Sequence, residues 1–257
     1  MRKLTTILAS LLLALPSVAQ QKPHTWSITP KVGITSSKFS KNTPFRTCFF
    51  PINNLSAIDS RGLITKHQHE TGFIIGAEVK YQFNKTFGLS LGALYAQQGR
   101  KWDAKGIRWN VEYSPTHPFQ PFYDEYPSDY TKIAEITFYK TPKYQYNTLN
   151  IPILANFYLW KGLAIKAGLE PQITISQKIK NGPTLTTVDP EDKEYIFLYE
   201  TTCKCRNFNL AAPIGISYEY KSICADIQYH HGITHVMHNG ADNITTQLFT
   251  FTLGYKL

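Results

Sequence analysis

Eight segments of the chain alternate polar and apolar residues with period two, and the charges within them keep to a single phase. The segments are 25–34, 72–83, 87–98, 148–159, 163–175, 208–220, 223–231 and 248–257. In the second, Phe73, Ile75, Ala77, Val79, Tyr81 and Phe83 share one face, against Ile74, Gly76, Glu78, Lys80 and Gln82 on the other. The fourth sets Leu149, Ile151, Ile153, Ala155, Phe157 and Leu159 against Asn150, Pro152, Leu154, Asn156 and Tyr158. Lys31, Glu78, Lys80, Lys166, Glu170, Glu219, Asp226 and Lys256 all fall on the polar phase. Random phasing would give that outcome roughly once in 250 trials. One face of every strand therefore excludes charge. A lipid-facing surface imposes that rule, because Lys or Arg there costs about 2–4 kcal/mol at mid-bilayer.

Alternation alone also suits a secreted barrel whose apolar face turns inward around a ligand. Two features select lipid. The polar phase is rich in small residues such as Gly76, Gly92, Gly168, Gly215 and Gly254, as the narrow lumen of an eight-stranded barrel demands. The apolar phase carries aromatics toward its ends, among them Trp26, Phe83, Phe87, Phe157, Tyr229 and Tyr255, which reads as interfacial girdles.

The N-terminus supplies the compartment. Met1-Arg2-Lys3 precedes an apolar stretch from Leu4 to Leu15, and Ser17-Val18-Ala19 ends it. That pattern is a secretory signal peptide over residues 1–19, leaving 20–257 as one domain. No later run of about 18 apolar residues could span a membrane as a helix. A spanning chain of this kind must be a barrel. The links alternate between short (84–85, 160–162, 221–222) and long (35–71, 99–147, 176–207, 232–247). Short turns face the periplasm and long loops face outside. The expectation is an all-β fold: a single eight-stranded, antiparallel, up-and-down transmembrane β-barrel in the outer membrane. Segments 133–140 and 194–201 read as strand extensions above the membrane, so a ten-stranded count stays open.

Thr148-Leu149-Asn150-Ile151-Pro152-Ile153-Leu154, followed in the next strand by Gly168-Leu169-Glu170-Pro171, resembles the strand signature of the PorT-like outer-membrane β-barrel family of Bacteroidetes. The resemblance spans nearly the whole mature chain by strand count and order. It implies an outer-membrane barrel, and some members of that family assist type IX secretion.

The lumen phase holds four cations and four anions, so it predicts an internally paired plug rather than a pore, since an isolated buried charge carries a desolvation cost of several kcal/mol. Removing Arg2 and Lys3 from 27 basic residues leaves 25 against 18 acidic, a net charge of +7. It is too diffuse for nucleic-acid binding; outer-membrane lipid and lipopolysaccharide are the expected contacts. Export to an oxidising space makes a disulfide from Cys48 to Cys203 or Cys205 the expected pairing, whereas Cys224 reads as a small lumen filler. His67, His69 and Glu70, and separately His230, His231, His235 and His238, lie toward the outer rim, yet their spacing matches no metal motif. No metal or cofactor is expected.

For catalysis, His231 with Ser176 and Glu70 at comparable heights forms the best triad, without a supporting sequence motif. No catalytic residue is assigned. The second long link interleaves Trp102, Trp109, Tyr113, Phe119, Phe122, Tyr123, Tyr126 and Tyr130 with four prolines. Aromatics at that density either anchor a partner or carbohydrate or pack as a lid. The leading expectation is a non-enzymatic closed barrel whose loops bind a cell-envelope partner, as accessory of a secretion or surface-assembly complex. A lipid-modifying enzyme and a narrow channel are the alternatives.

Overall fold

The computed structural model describes residues 22–40, 67–102, 108–113, 132–137, 139–160, 162–181, 184–188, 194–198, 206–236 and 244–257. Its strands are β1 (Thr25–Phe39), β2 (His67–Gln82), β3 (Phe87–Trp102), β4 (Arg108–Tyr113), β5 (Lys132–Thr137), β6 (Lys143–Asn150) and β7 (Ile153–Trp160). There follow β8 (Leu163–Lys180), β9 (Thr184–Val188), β10 (Glu194–Leu198), β11 (Phe208–Tyr220), β12 (Ile223–Gly232) and β13 (Thr246–Tyr255).

Nine of these form one antiparallel sheet in the order β11-β12-β13-β1-β2-β3-β6-β8-β7, with β11–β8 and β3–β7 also paired. The sheet is a closed barrel of eight staves, because β6 and β7 are two halves of one. Leu94 pairs with Asn150 and Leu91 with Ile153 on one side, while Gln172 pairs with Asn150 and Leu169 with Ile153 on the other. Pro152 causes the interruption, since it has no N–H to give the ladder. Its carbonyl still accepts from Gly92 N at 2.9 Å, and Ile151 N donates to Pro171 O at 2.8 Å. Gly92 is needed there: a Cβ would lie 2.8 Å from Pro152 Cγ.

Short turns close the periplasmic end. Asn84 Oδ1 accepts from Thr86 N at 2.9 Å and Phe87 N at 2.8 Å, an Asx turn that fixes the β2–β3 hairpin. Gly162 joins β7 to β8 at φ +87°, and a Cβ there would meet Glu219 O at 2.1 Å. Lys221 takes φ 52° in the β11–β12 turn.

Burial is inverted relative to a water-soluble protein. Ile28, Val32, Ile34, Ile75, Leu91, Ile175, Ile216 and Phe251 are exposed on the outer wall, while the interior is filled by Ser, Thr, Asn, Gln and charged side chains. Every one of the eight alternating segments is a stave, and the apolar phase is the outward one.

The strands outrun their expected ends toward the outside. β1 continues to Phe39, β3 to Trp102 and β8 to Lys180, because hydrogen-bond pairing persists above the bilayer where no apolar phase is required. In the extra segments at 133–140 and 194–201 the described strands are β5 and β10, and they are not staves. β5 and β10 belong to a second, four-stranded sheet in the order β10-β9-β5-β4, so the barrel count is eight and not ten. Ala134 pairs with Thr187 and Thr137 with Thr184, which stitches the link after β3 to the link after β8.

Candidate functional site

The lumen is built in tiers, each set by which residues the stave phase turns inward. At mid-height, Lys31 Nζ on β1 lies 2.8 Å from Glu78 Oε2 on β2 and 2.7 Å from Asp226 Oδ2 on β12. Lys166 Nζ on β8 reaches Glu78 Oε1 at 2.8 Å and Asp226 Oδ1 at 3.4 Å. All four residues are buried. Two ammoniums and two carboxylates alternate around a ring, so each charge has opposite neighbours on both sides and the ring is neutral. Removal from water, which would cost several kcal/mol per ion, is thereby offset.

Nearer the periplasm, Lys80 Nζ sits 2.5 Å from Glu219 Oε1, and Tyr158 OH donates to the same oxygen at 2.5 Å. Lys80 also donates to the Tyr158 hydroxyl. Lys256 Nζ takes the other carboxylate oxygen at 3.1 Å.

Outward of the ring, the buried carboxylate of Glu170 accepts from Asn150 Nδ2 at 3.0 Å and Gln172 Nε2 at 2.7 Å. His230 Nδ1 lies 3.1 Å from Glu170 Oε1, and its Nε2 lies 3.1 Å from Thr250 Oγ1, so both ring nitrogens are engaged.

The outer mouth is aromatic. The Arg100 guanidinium stacks 4.5 Å from the Phe39 ring and 4.3 Å from the Trp102 ring. Tyr146 OH donates to Gln98 Oε1 at 3.0 Å, and Tyr144 packs against Tyr146 at 5.8 Å between centroids. Glu70 is buried beside Lys101 at 3.1 Å and Lys143 at 3.5 Å.

The eight charges expected in the lumen thus all point inward and contact partners. His230, expected with His231 at the rim, instead faces the lumen beneath Thr250. The signal was available: Cys224, Asp226, Gln228 and His230 share one phase of β12. Arg100 was missed because it lies two residues beyond the expected end of its strand, although the even phase continues through it. Trp102, expected on the second loop, is the last residue of β3 and fully buried. Trp109 and Tyr113 lie on β4. Phe119, Phe122, Tyr123, Tyr126 and Tyr130, together with Cys48, Cys203 and Cys205, lie outside the described residues.

His231, Ser176 and Glu70 hold separate partners. His231 Nδ1 lies 3.4 Å from Tyr229 OH, Ser176 Oγ accepts from Asn147 Nδ2 at 2.8 Å, and Glu70 is bound by lysines. Among the described residues, no group of three or more His, Cys, Asp or Glu is arranged to hold a metal.

The family of outer membrane protein β-barrel domains matches residues 18–238. The chain belongs to that family. Its place is the outer membrane. The barrel is similar to solved structures of Ail from Yersinia pestis, at 10% identity over 90% of this chain and 99% of that one, with a TM-score of 0.39. Neisserial surface protein A gives 10% identity, coverage of 90% and 97%, and a TM-score of 0.38. OprG from Pseudomonas aeruginosa gives 13% identity, coverage of 93% and 98%, and a TM-score of 0.38. No curated protein matches the sequence.

Proposed function

We propose that this barrel is a closed, non-enzymatic scaffold that presents an extramembrane β-sheet to a cell-envelope protein partner. The observation that carries the reading is the pairing of β5 with β9, which turns two long links into one four-stranded sheet. The 40-residue link between β3 and β6 has a large ordering entropy, and loops of that length that acquire structure are usually functional. The outer edges of that sheet are β4 and β10, and β4 carries Trp109 and Tyr113 of the aromatic set. The barrel beneath it is a rigid pedestal. Its lumen charges are mutually neutralised, which favours a plug over a conducting path. The resemblance to the PorT-like barrels of Bacteroidetes extends the reading to an accessory of a secretion or surface-assembly complex.

The test is to replace residues 108–137 with a short Gly-Ser linker and compare co-purification from native outer membrane. The staves carry their own hydrogen bonds, so the variant keeps its heat-modifiable migration on gels. Its partner is lost. An unchanged partner set after that replacement refutes the scaffold reading.

A further inference from the structure

Lys101 on β3 stands directly opposite Lys143 on β6, and Lys143 directly opposite Lys180 on β8. Three lysines thus occupy one row across three adjacent strands, with Lys178 two residues below Lys180 and opposite Gln145. Opposed residues on neighbouring strands have Cβ atoms about 4.5–5.5 Å apart, and like charges so placed destabilise the sheet. Glu70 relieves part of this repulsion by contacting Lys101 and Lys143. Lys178 and Lys180 are exposed and make no ion pair among the described residues. On the outer ends of the barrel strands and the residues beside them, Lys38, Arg100, Lys101, Lys140, Lys143, Lys178, Lys180 and Arg206 are the described cations and Glu70 the described acid, while Glu112, Glu135 and Glu194 lie on the second sheet.

We propose that Lys101, Lys143, Lys178 and Lys180 form a binding site for the phosphate groups of the glycolipid in the outer leaflet. Height supports that ligand. Among the residues of β8 whose side chains are described, the last exposed apolar one is Ile175. Lys178 lies three residues beyond it, which at about 3.3 Å per residue and a strand tilt near 40° is roughly 8 Å along the bilayer normal. That is the level of the phosphorylated headgroups. Lysine binds phosphate as a point charge and needs no planar geometry, so a row of ammoniums on a fixed backbone suffices.

The backbone there is fixed. Tyr144 OH donates to Gln177 Oε1 at 2.7 Å, Asn147 Nδ2 donates to Ser176 Oγ at 2.8 Å, and Asn181 Nδ2 donates to Thr141 O at 3.0 Å. The β6–β8 ladder is thus pinned from both sides of the row. A bound phosphate places negative charge beside Lys178 and Lys180, which have no ion-pair partner among the described residues, so binding relieves strand repulsion as well as satisfying the ligand. The site does not depend on the sheet formed by β4, β5, β9 and β10.

The experiment uses the full mature chain folded in lipid nanodiscs. Binding of a deep-rough lipopolysaccharide is compared with that of the same glycolipid enzymatically stripped of phosphate. The double substitution Lys178→Gln with Lys180→Gln is measured beside Lys85→Gln with Lys221→Gln, which removes equal charge from the periplasmic turns. Loss of two lysines near a charged headgroup layer is expected to weaken binding about thirtyfold. The periplasmic double variant retains wild-type affinity, and the dephosphorylated glycolipid binds the wild type as weakly as the intact one binds the Lys178/Lys180 variant. Heat-modifiable migration of each variant verifies folding. Equal affinity of both double variants, or of both glycolipids, overturns the proposal. Competition by inorganic phosphate down to the variant's level, at an ionic strength held constant with chloride, overturns the assignment to lipid and leaves a free-anion site.

Discussion

Asp226 is one of two anions in the mid-height ring, and Asp226→Asn should destabilise the folded barrel more than any substitution on its outer wall. The carboxylate faces Lys31 at 2.7 Å and Lys166 at 3.4 Å, with Thr252 Oγ1 at 3.3 Å. At an effective dielectric of about 20, unit charges at those separations attract by roughly 5–6 kcal/mol each. Desolvation of Asp226 and its repulsion from Glu78 offset much of that. Breaking a buried pair by removing one partner costs about 3–5 kcal/mol in practice. Glu78 still holds both lysines in the variant, so the lower end, about 3 kcal/mol, is expected.

The assay is urea unfolding of the protein folded into lipid vesicles, followed by heat-modifiable migration and tryptophan fluorescence. Lys31→Met combined with Asp226→Asn restores neutrality and leaves Lys166 bound to Glu78 at 2.8 and 2.9 Å. The double variant should therefore be more stable than Asp226→Asn alone by at least about 1 kcal/mol, a coupling typical of contacting residues. Additive losses, or a cost below about 1 kcal/mol for Asp226→Asn, would refute the ring as the source of lumen stability.

Planar-bilayer recording of the folded protein should show no stable large conductance, and a steady open channel would overturn the plugged lumen. Gly162→Ala forces a Cβ toward Glu219 O at a left-handed position and should lower stability by about 1–3 kcal/mol in the same urea assay. Phe39→Ala removes a fully buried ring from beside Arg100 and Tyr144 and should cost about 3–5 kcal/mol. In a chain whose other three cysteines are serine, Cys224 is buried and should react with maleimide only after unfolding. Labelling of the folded barrel at a comparable rate would show that water enters the lumen at that depth.

The alternation that is legible in the sequence is the part enforced by lipid. Where a strand crosses the bilayer, a misplaced Lys is expensive, so Lys31, Lys80 and Lys166 could be assigned to the interior from phase alone. Above the bilayer that penalty vanishes. β8 runs on to Lys180 through Ser176, Gln177 and Lys178 without an apolar phase, and β2 slips its register against β3 between His69 and Ile74. Neither leaves a period-two trace. Phase alone places Glu170 in the lumen, and the same phase puts its partner His230 there too, on the face opposite His231, because neighbouring strand residues point to opposite sides; adjacency in sequence hides this. The pairing of β5 with β9 joins segments some 50 residues apart, and no local pattern encodes which of two links a short strand will choose.

The mid-height ring also bears on how the barrel is assembled. Lys31 and Asp226 are 195 residues apart in sequence, and β1 meets the far end of the chain through pairs such as Lys31 with Gly254. A sheet whose first and last strands have not met leaves Lys31 without Asp226 and opens the interior to water or lipid. Long-range pairings of this kind form late, because loop-closure entropy must be overcome before they are rewarded. Zippering of the β1–β13 seam and neutralisation of the interior are then one event: an incomplete barrel is electrostatically penalised at its centre, and the final strand acts as a latch whose engagement licenses stable residence in the membrane.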